Sequence, residues 1–343
     1  MVAATKTAAV ATIILALSWS CCAVATVAAD GVTAPPPPTQ VRLVTIHRHD
    51  TDAFTEGLFF LGDALVESTG LNEKSFIRQY SLPSLHTAST TASPIADDGD
   101  GDGNGDDDNG GGKSDKSAHL SSSAVRKEFR FDLSIFGEGV TSIGDKLYAL
   151  TYKAKVLLEL SLSNFTLFNT YAIETFTEEG WGMTTDGELL IVSDGSSKIQ
   201  FFDPYGREGK VSLVRTIDVR LDGKSVTNVN ELEFVPGENE ILANVWLKNH
   251  ILRINATDGD VIEVIDLAWL ASMVSNLHTK KMRQSPYTND AVMNGIALHP
   301  ITKHVFVTGK LWDSMFELEF SYLSTSSRKK RQSAAAAATR SSG

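Results

Sequence analysis

The sequence predicts an all-β fold, a five-bladed β-propeller with one inserted helix, and three observations predict it. A short motif recurs five times: FTEGLFF at Phe54, FGEGVTS at Phe136, EGWGMTT at Glu179, NVNELEF at Asn228 and VMNGIAL at Val292. Each places a polar or aromatic residue (Glu56, Glu138, Trp181, Asn230, Asn294) ahead of a glycine, glutamate in the fourth, and then opens an apolar run. A turn and a second strand-like run follow, and the polar end of that run lies 13 residues after the marker in three units and 14 in the other two. Markers are 82, 43, 49 and 64 residues apart. Without two insertions the period is about 45 residues, the length of a four-stranded propeller blade.

Each segment has its place in that scheme. Residues 1–29 read as an export signal or signal anchor: Lys6 is the only charge, the run from Ala8 to Val27 is almost wholly apolar, and Ala28-Ala29 offers small residues for cleavage. That run is also long enough to span a bilayer. The chain is therefore expected in the secretory pathway, held at a membrane only if this segment stays uncleaved. Residues 30–40 form a proline-rich linker. The propeller is expected over 41–320, and the strand at 41–46 should complete the last blade and close the ring, removing an exposed edge. Residues 87–123, rich in Ser, Asp and Gly, read as a disordered insertion. Leu267, Leu270, Val274 and Leu277 recur at helical spacing, which predicts a helix from Asp266 to about Gln284. Residues 321–343 read as a loose basic and Ala-rich tail.

Composition narrows the function classes. The net charge is −11, and residues 95–116 alone carry eight Asp against two Lys, so nucleic acid is not an expected partner. Both cysteines, Cys21 and Cys22, lie in the export segment, which leaves no disulfide or thiol nucleophile after cleavage. The eight His show no HExxH or paired metal spacing. Asp98, Asp100 and Asp102 match the start of a calcium loop, but its twelfth position is Asn109 and no helices flank it. Asn164-Phe-Thr and Asn255-Ala-Thr are acceptor sequences for N-glycosylation.

In a propeller the first strand of every blade lines the central channel. Glu56, Glu138, Trp181, Asn230 and Asn294 should then form a ring at one mouth, with Ser68, Tyr152, Asp194, Trp246 and Lys310 just outside it. Taken alone, a channel glutamate more often faces solvent or a structural cation, and a propeller tryptophan more often packs between blades. Asp194 reads as a turn residue, Trp312 is ambiguous, and Lys153 and Lys155 read as solvated strand ends.

At these residues the chain resembles the plant and bacterial glutaminyl-peptide cyclotransferases. The matching stretches are FTEG, ESTGLNEKSFIRQYSL, FGEGVTSIGDKLYALTY, GWGMTTDGELLIVSDG, NELEF, ILANVWLKNHILRI, MNGIALHP and VFVTGKLW, in order over nearly all of residues 41–320. The resemblance implies a five-bladed propeller that turns an N-terminal glutamine of peptides or proteins into pyroglutamate and releases ammonia. It implies Glu138 as general acid/base, with Asn230 and Lys310 as polar groups at the reacting amide. It implies Phe136, Trp181 and Trp246 as the aromatic wall, and Phe54, Glu56, Tyr152 and Asn294 join them at the substrate-binding mouth. Two positions depart from the family pattern: Glu56 stands where glutamine is usual, and Tyr152 where tryptophan is usual. A second carboxylate at the mouth should raise the pKa of Glu138 by like-charge repulsion.

Cyclisation needs orientation, proton transfer and stabilisation of the carbonyl oxygen. No cofactor is required, although a structural calcium or zinc ion in the channel is compatible with this composition, and a monomer is expected. Two other readings stay open at this point. One is a non-catalytic propeller that binds peptides or sugars. The other is a calcium-dependent propeller hydrolase or lactonase that uses Glu56, Glu138, Asn230 and Asn294 as oxygen ligands.

Overall fold

The computed structural model describes residues 37–82, 125–206 and 211–324. The export segment, the acidic insertion with its calcium-like stretch and most of the basic tail lie outside the described residues. Within the unit that begins at Pro38, five four-stranded antiparallel sheets follow one another. Blade 1 comprises Thr55–Leu61, Ala64–Thr69, Phe76–Tyr80 and Val125–Arg130. Blade 2 comprises Gly137–Ile143, Lys146–Thr151, Val156–Ser161 and Leu167–Ala172. Blade 3 comprises Met183–Thr185, Leu190–Ser193, Lys198–Asp203 and Ser212–Asp218. Blade 4 comprises Val229–Val235, Glu240–Val245, His250–Asn255 and Val261–Asp266. Blade 5 takes Met293–Leu298, Val305–Gly309 and Ser314–Phe320 from one end of the propeller sequence and Val41–Arg48 from the other. Val41 pairs with Phe320 and Arg48 with Ser314, so the closing strand lies where the repeat predicts it.

Five apolar seams fill the gaps between neighbouring blades, and a sixth cluster of Phe54, Leu71, Met282, Ala291 and Leu311 packs the helical insertion against the ring. Val66, Ile77, Val140 and Leu147 fill the gap between blades 1 and 2. Leu150, Leu157, Leu190 and Phe202 fill the next. Ile191, Phe201, Leu232 and Ile241 join blades 3 and 4. Leu242, Ile251, Ile296 and Phe316 join blades 4 and 5. Leu58, Leu65, Ala297 and Phe306 join blades 5 and 1. Burying one such aliphatic or aromatic side chain is worth about 1.5–3 kcal/mol. Every blade lies between two seams and buries its apolar faces against both neighbours.

The helical insertion differs from the single long helix expected. It consists of a helix at Ala268–Met273, a 3₁₀ turn at Asn276–His278 and one helical turn at Lys280–Arg283. Leu267, Leu270 and Val274 are buried as their spacing predicts. The break after Met273 has an identifiable cause. Asp313, at the start of blade 5's third strand, accepts from the Ser275 hydroxyl and from the Asn276 N–H at 3.0 Å, while the Asn276 amide donates to the Leu311 carbonyl at 2.6 Å. These tertiary bonds replace the bonds a continuing helix would make.

Packing also continues past Phe320, which corrects the expected start of the loose tail. Tyr322 and Leu323 are buried, and Ser321 N–H donates to the Gln40 carbonyl at 2.9 Å. Trp312 resolves as a core residue: it is buried, and its indole N–H donates to the Ala291 carbonyl at 3.1 Å.

Candidate active site

Four of the five markers share one backbone device, and Trp181, which precedes the first strand of blade 3, is the exception. The pairing of first and second strands shifts register at the marker in four blades, between Thr55 and Gly57, Gly137 and Val140, Val229 and Leu232, and Met293 and Ile296. Such a bulge re-aims one side chain out of the regular alternation. The next bond is also repeated. Gly70, Tyr152, Trp246 and Lys310 donate their N–H groups to the carbonyls of Phe54, Phe136, Asn228 and Val292 at 2.8–3.0 Å. Second-strand exits and first-strand entries are therefore clipped together at the same end of each of these blades, and their side chains meet there.

The glycine after the marker has a packing reason. A Cβ on Gly139 would lie 2.3 Å from the Met183 nitrogen, and one on Gly182 would lie 2.2 Å from the Asn230 carbonyl oxygen. Neighbouring inner strands approach so closely that only hydrogen fits. Blade 4 has Glu231 at that position, and its buried side chain spans the channel instead.

Glu56 and Glu138 are both buried, and their carboxyl groups interact with each other. Glu56 also accepts from Lys310 Nζ at 2.7 Å and from Asn294 Nδ2 at 3.2 Å. Burial pushes the Glu56 carboxyl up to about 7, against the opposing pull of Lys310. Burial, reinforced by the Glu56 carboxylate, pushes Glu138 well above the ordinary carboxylate range. Ionisation of either carboxyl disfavours ionisation of the other, and the Lys310 ammonium on Glu56 favours Glu56 as the one that ionises first.

Aromatic rings stand around this pair. Phe54 and Phe136 meet edge-on at 6.1 Å, Phe136 and Tyr152 lie 5.5 Å apart, and Trp181 and Trp246 meet edge-on at 6.0 Å. Lys310 Nζ lies 4.7 Å from the Phe54 ring centre. The helical insertion reaches the same place, with Tyr287 edge-on to Phe54 at 5.9 Å. Phe136, Tyr152, Trp181 and Trp246 keep part of their surface open, whereas Phe54 is buried.

The two asparagines behave differently from each other. Asn294 has zero exposure, and its amide donates to Glu56 and to the Thr55 carbonyl, so it braces the carboxylate. Asn230 is buried on the neighbouring inner strand. Among the described residues nothing partners Asn230 Oδ1 or Asn294 Oδ1. Two buried acceptors at a mouth suit a ligand rich in N–H groups. Asp194 serves its turn, accepting from Thr177 N–H at 3.0 Å and Ser196 N–H at 3.1 Å. The Ser68 hydroxyl donates to the Glu138 carbonyl and holds the backbone of the acid.

Three glutamates have roles that the repeat does not assign. Glu231 accepts N–H bonds from Ile296 at 2.8 Å and Leu58 at 3.3 Å, tying blade 4 to blades 5 and 1 across the channel. Glu233 accepts from Leu298 N–H at 2.7 Å. Glu179 holds two rim residues, Trp181 and Lys153. For the first two a signal existed: residues two apart on a strand share a face, and NELEF places two carboxylates on the channel face of a first strand.

Among the described residues no group of three or more His, Cys, Asp or Glu could hold a metal ion. Glu56, one of the four side chains a calcium site would need, is already engaged by the Lys310 ammonium and the Asn294 amide N–H.

Comparison with known proteins agrees with this geometry. Glutaminyl-peptide cyclotransferase of Arabidopsis thaliana is 29% identical over 289 residues, 84% of this chain and 73% of its own length. The crystal structure of Myxococcus xanthus glutaminyl cyclase matches with a TM-score of 0.62 at 29% identity, covering 83% of this chain and 98% of that one. The sequence model of the glutamine cyclotransferase family matches residues 13–320. A five-bladed ring with buried carboxyl groups at its aromatic mouth and a family match over most of its length place this chain in the glutamine cyclotransferase family.

Proposed function

We propose that the chain is a glutaminyl-peptide cyclotransferase. The observation that carries this reading is the Glu138–Glu56–Lys310 cluster, two buried carboxyl groups beside an ammonium, under an aromatic wall. In the reaction the α-amine nitrogen of an N-terminal glutamine attacks its own side-chain carbonyl carbon. A ring C–N bond forms, the bond to the amide nitrogen breaks, and ammonia leaves. Net, one proton moves from the attacking nitrogen to the departing one.

Glu138 can carry that proton. In its protonated form it donates to the departing nitrogen. The carboxylate left beside Glu56 is then strongly basic, by like-charge repulsion, and takes the proton from the ring nitrogen. The α-amine, with an ordinary pKa of about 7.7–8.0, reacts as its neutral form. Lys310 and Asn230 are assigned to the carbonyl oxygen as it gains charge, in the manner of an oxyanion site. Phe54, Phe136, Tyr152, Trp181 and Trp246 are assigned to hold the uncharged glutamine side chain in the folded geometry that ring closure needs.

No cofactor is assigned to this chemistry. The substrates are peptides or proteins that begin with glutamine, and the protein is assigned as a monomer. From the apolar leader we also infer delivery to the secretory pathway, by a cleaved signal or an anchored one, with glycosylation there. Of the two acceptor sequences Asn164 is the better placed: it is exposed in a turn, whereas Asn255 is half-buried with its amide donated to Asp258 at 3.2 Å.

A coupled ammonia assay on a dipeptide beginning with glutamine, with and without chelator, tests the activity beside a lactone hydrolysis assay. Ammonia release that survives chelator is expected. Lactone hydrolysis abolished by chelator, or silence in both assays, would overturn the reading.

A further inference from the structure

Glu179 is neither one of the ring positions nor a blade residue, yet its side chain is the hub of the mouth's rim. Its Oε2 accepts the Trp181 indole N–H at 3.0 Å, and its Oε1 pairs with Lys153 Nζ at 3.2 Å. Lys153 in turn lies 4.6 Å from the centre of the Tyr152 ring. One carboxylate therefore links the wall residue of blade 3 to the wall residue of blade 2. Lys153 is largely exposed, which makes the ion pair itself weak. The indole bond, to a charged acceptor in a half-buried place, is the stronger of the two.

The connection that carries Glu179 is pinned along its length. Phe176 N–H donates to Gln200 Oε1 at 2.8 Å, Thr177 donates its N–H and hydroxyl to Asp194, and the Thr175 hydroxyl donates to the Glu179 carbonyl at 2.7 Å. Gly180 N–H donates to the Tyr152 carbonyl at 2.8 Å, which seats the segment against blade 2. The carboxylate thus has a fixed position from which to orient a ring. Trp181 is confined from its other side by Gly195, where a Cβ would lie 2.5 Å from the indole. With its single N–H donor taken at the rim, the indole has no other polar group to offer the pocket. Its remaining surface suits the uncharged, partly apolar side chain of glutamine.

We propose that Glu179 is a positioning residue that fixes the Trp181 indole as a wall of the pocket, and so sets how tightly the N-terminal glutamine is held. The proposal rests on the cyclotransferase reading for its substrate and on the Glu179–Trp181–Lys153 geometry for its placement. Glu179 also contributes to the field that favours the protonated form of Glu138.

The test uses the full chain and four variants: Glu179→Ala, Glu179→Gln, Trp181→Phe and the double variant Glu179→Ala/Trp181→Phe. Glu179→Ala should raise KM about tenfold and leave kcat within about threefold, the scale of one hydrogen bond to a charged group. Glu179→Gln keeps an acceptor for the indole and should recover most of that loss. In the Trp181→Phe background, Glu179→Ala should have almost no further effect on KM, because the partner it acts through is gone. A second measurement is independent of turnover. In protein labelled with ¹⁵N at tryptophan, the indole resonance missing from Trp181→Phe should shift in Glu179→Ala. An unmoved resonance, an unchanged KM, or the same KM loss with and without Trp181 would overturn the proposal. A wild-type chain that releases no ammonia would overturn the cyclotransferase reading, and the indole resonance would still decide the placement.

Discussion

Two pairs of buried glutamates sit a short distance apart in this channel, and they do opposite things. Glu231 and Glu233 receive fixed donors: backbone N–H groups of Leu58, Ile296 and Leu298. Glu56 and Glu138 receive each other, and only one of them also has an ammonium. Burial raises all four pKa values. What separates them is the partner. A carboxyl group whose bonds run to rigid backbone joins blades. A carboxyl whose chief partner is another carboxyl keeps a proton that can move. Burial and a shifted pKa alone do not mark a catalyst, and the identity of the hydrogen-bond partner is what discriminates.

The sharpest way to break this comparison is Glu138→Gln. The variant should lose about 10²–10⁴ in turnover, keep its affinity for a glutamine-initiated peptide, and melt near the wild-type temperature. Ammonia release and calorimetry check both halves, and normal turnover would remove Glu138 from the mechanism.

Glu231→Gln should show the reverse. The amide has one acceptor oxygen where the carboxyl group offers two, one to the Leu58 N–H and one to the Ile296 N–H, so about 1–3 kcal/mol of stability should go. Turnover per folded molecule should change little. Denaturant melts beside active-site titration separate the two effects.

Glu233 gives the pH dependence. Burial pushes its folded pKa from 4.5 up to about 8. The folded state then holds its proton more tightly than the unfolded state, so the contribution of this group to stability falls as pH rises from about 4.5 to about 8. Melting temperatures over that range should decline in the wild type and decline less in Glu233→Gln.

The smallest effect is expected from Glu56→Gln, which restores the residue usual in the family. Removing the neighbouring negative charge makes Glu138 ionise more readily, so its pKa falls. If the reaction needs Glu138 protonated, the alkaline limb of kcat/KM should move to lower pH, with the maximum rate within about tenfold of wild type. An unmoved limb would separate the two carboxyls.

Much of this was legible in the sequence because a propeller writes its symmetry into spacing. The markers, the 13- and 14-residue intervals and the closing strand at Val41 all follow from one repeated unit. The meeting of Glu56, Glu138 and Asn294 follows as well, because equal positions in equal blades reach one mouth. What stayed hidden depends on partners that no local pattern encodes. The N–H groups that saturate Glu231 belong to residues 65 and 173 positions away. The helix predicted from Asp266 breaks because of Asp313, 37 residues beyond Asn276. His49, buried and bonded to Glu67 at 2.8 Å between blades 5 and 1, had no signal beyond its own letter.

The strand Val41–Arg48 has a kinetic consequence. It emerges from the ribosome before any blade, yet its hydrogen-bonding partner, Ser314–Phe320, is made some 270 residues later. Until then the circle stays open, with an unpaired sheet edge at both ends. Maturation of the catalytic mouth therefore waits on the most distant contact in the propeller, and the interval before closure is when this chain is most exposed to pairing with the wrong strand.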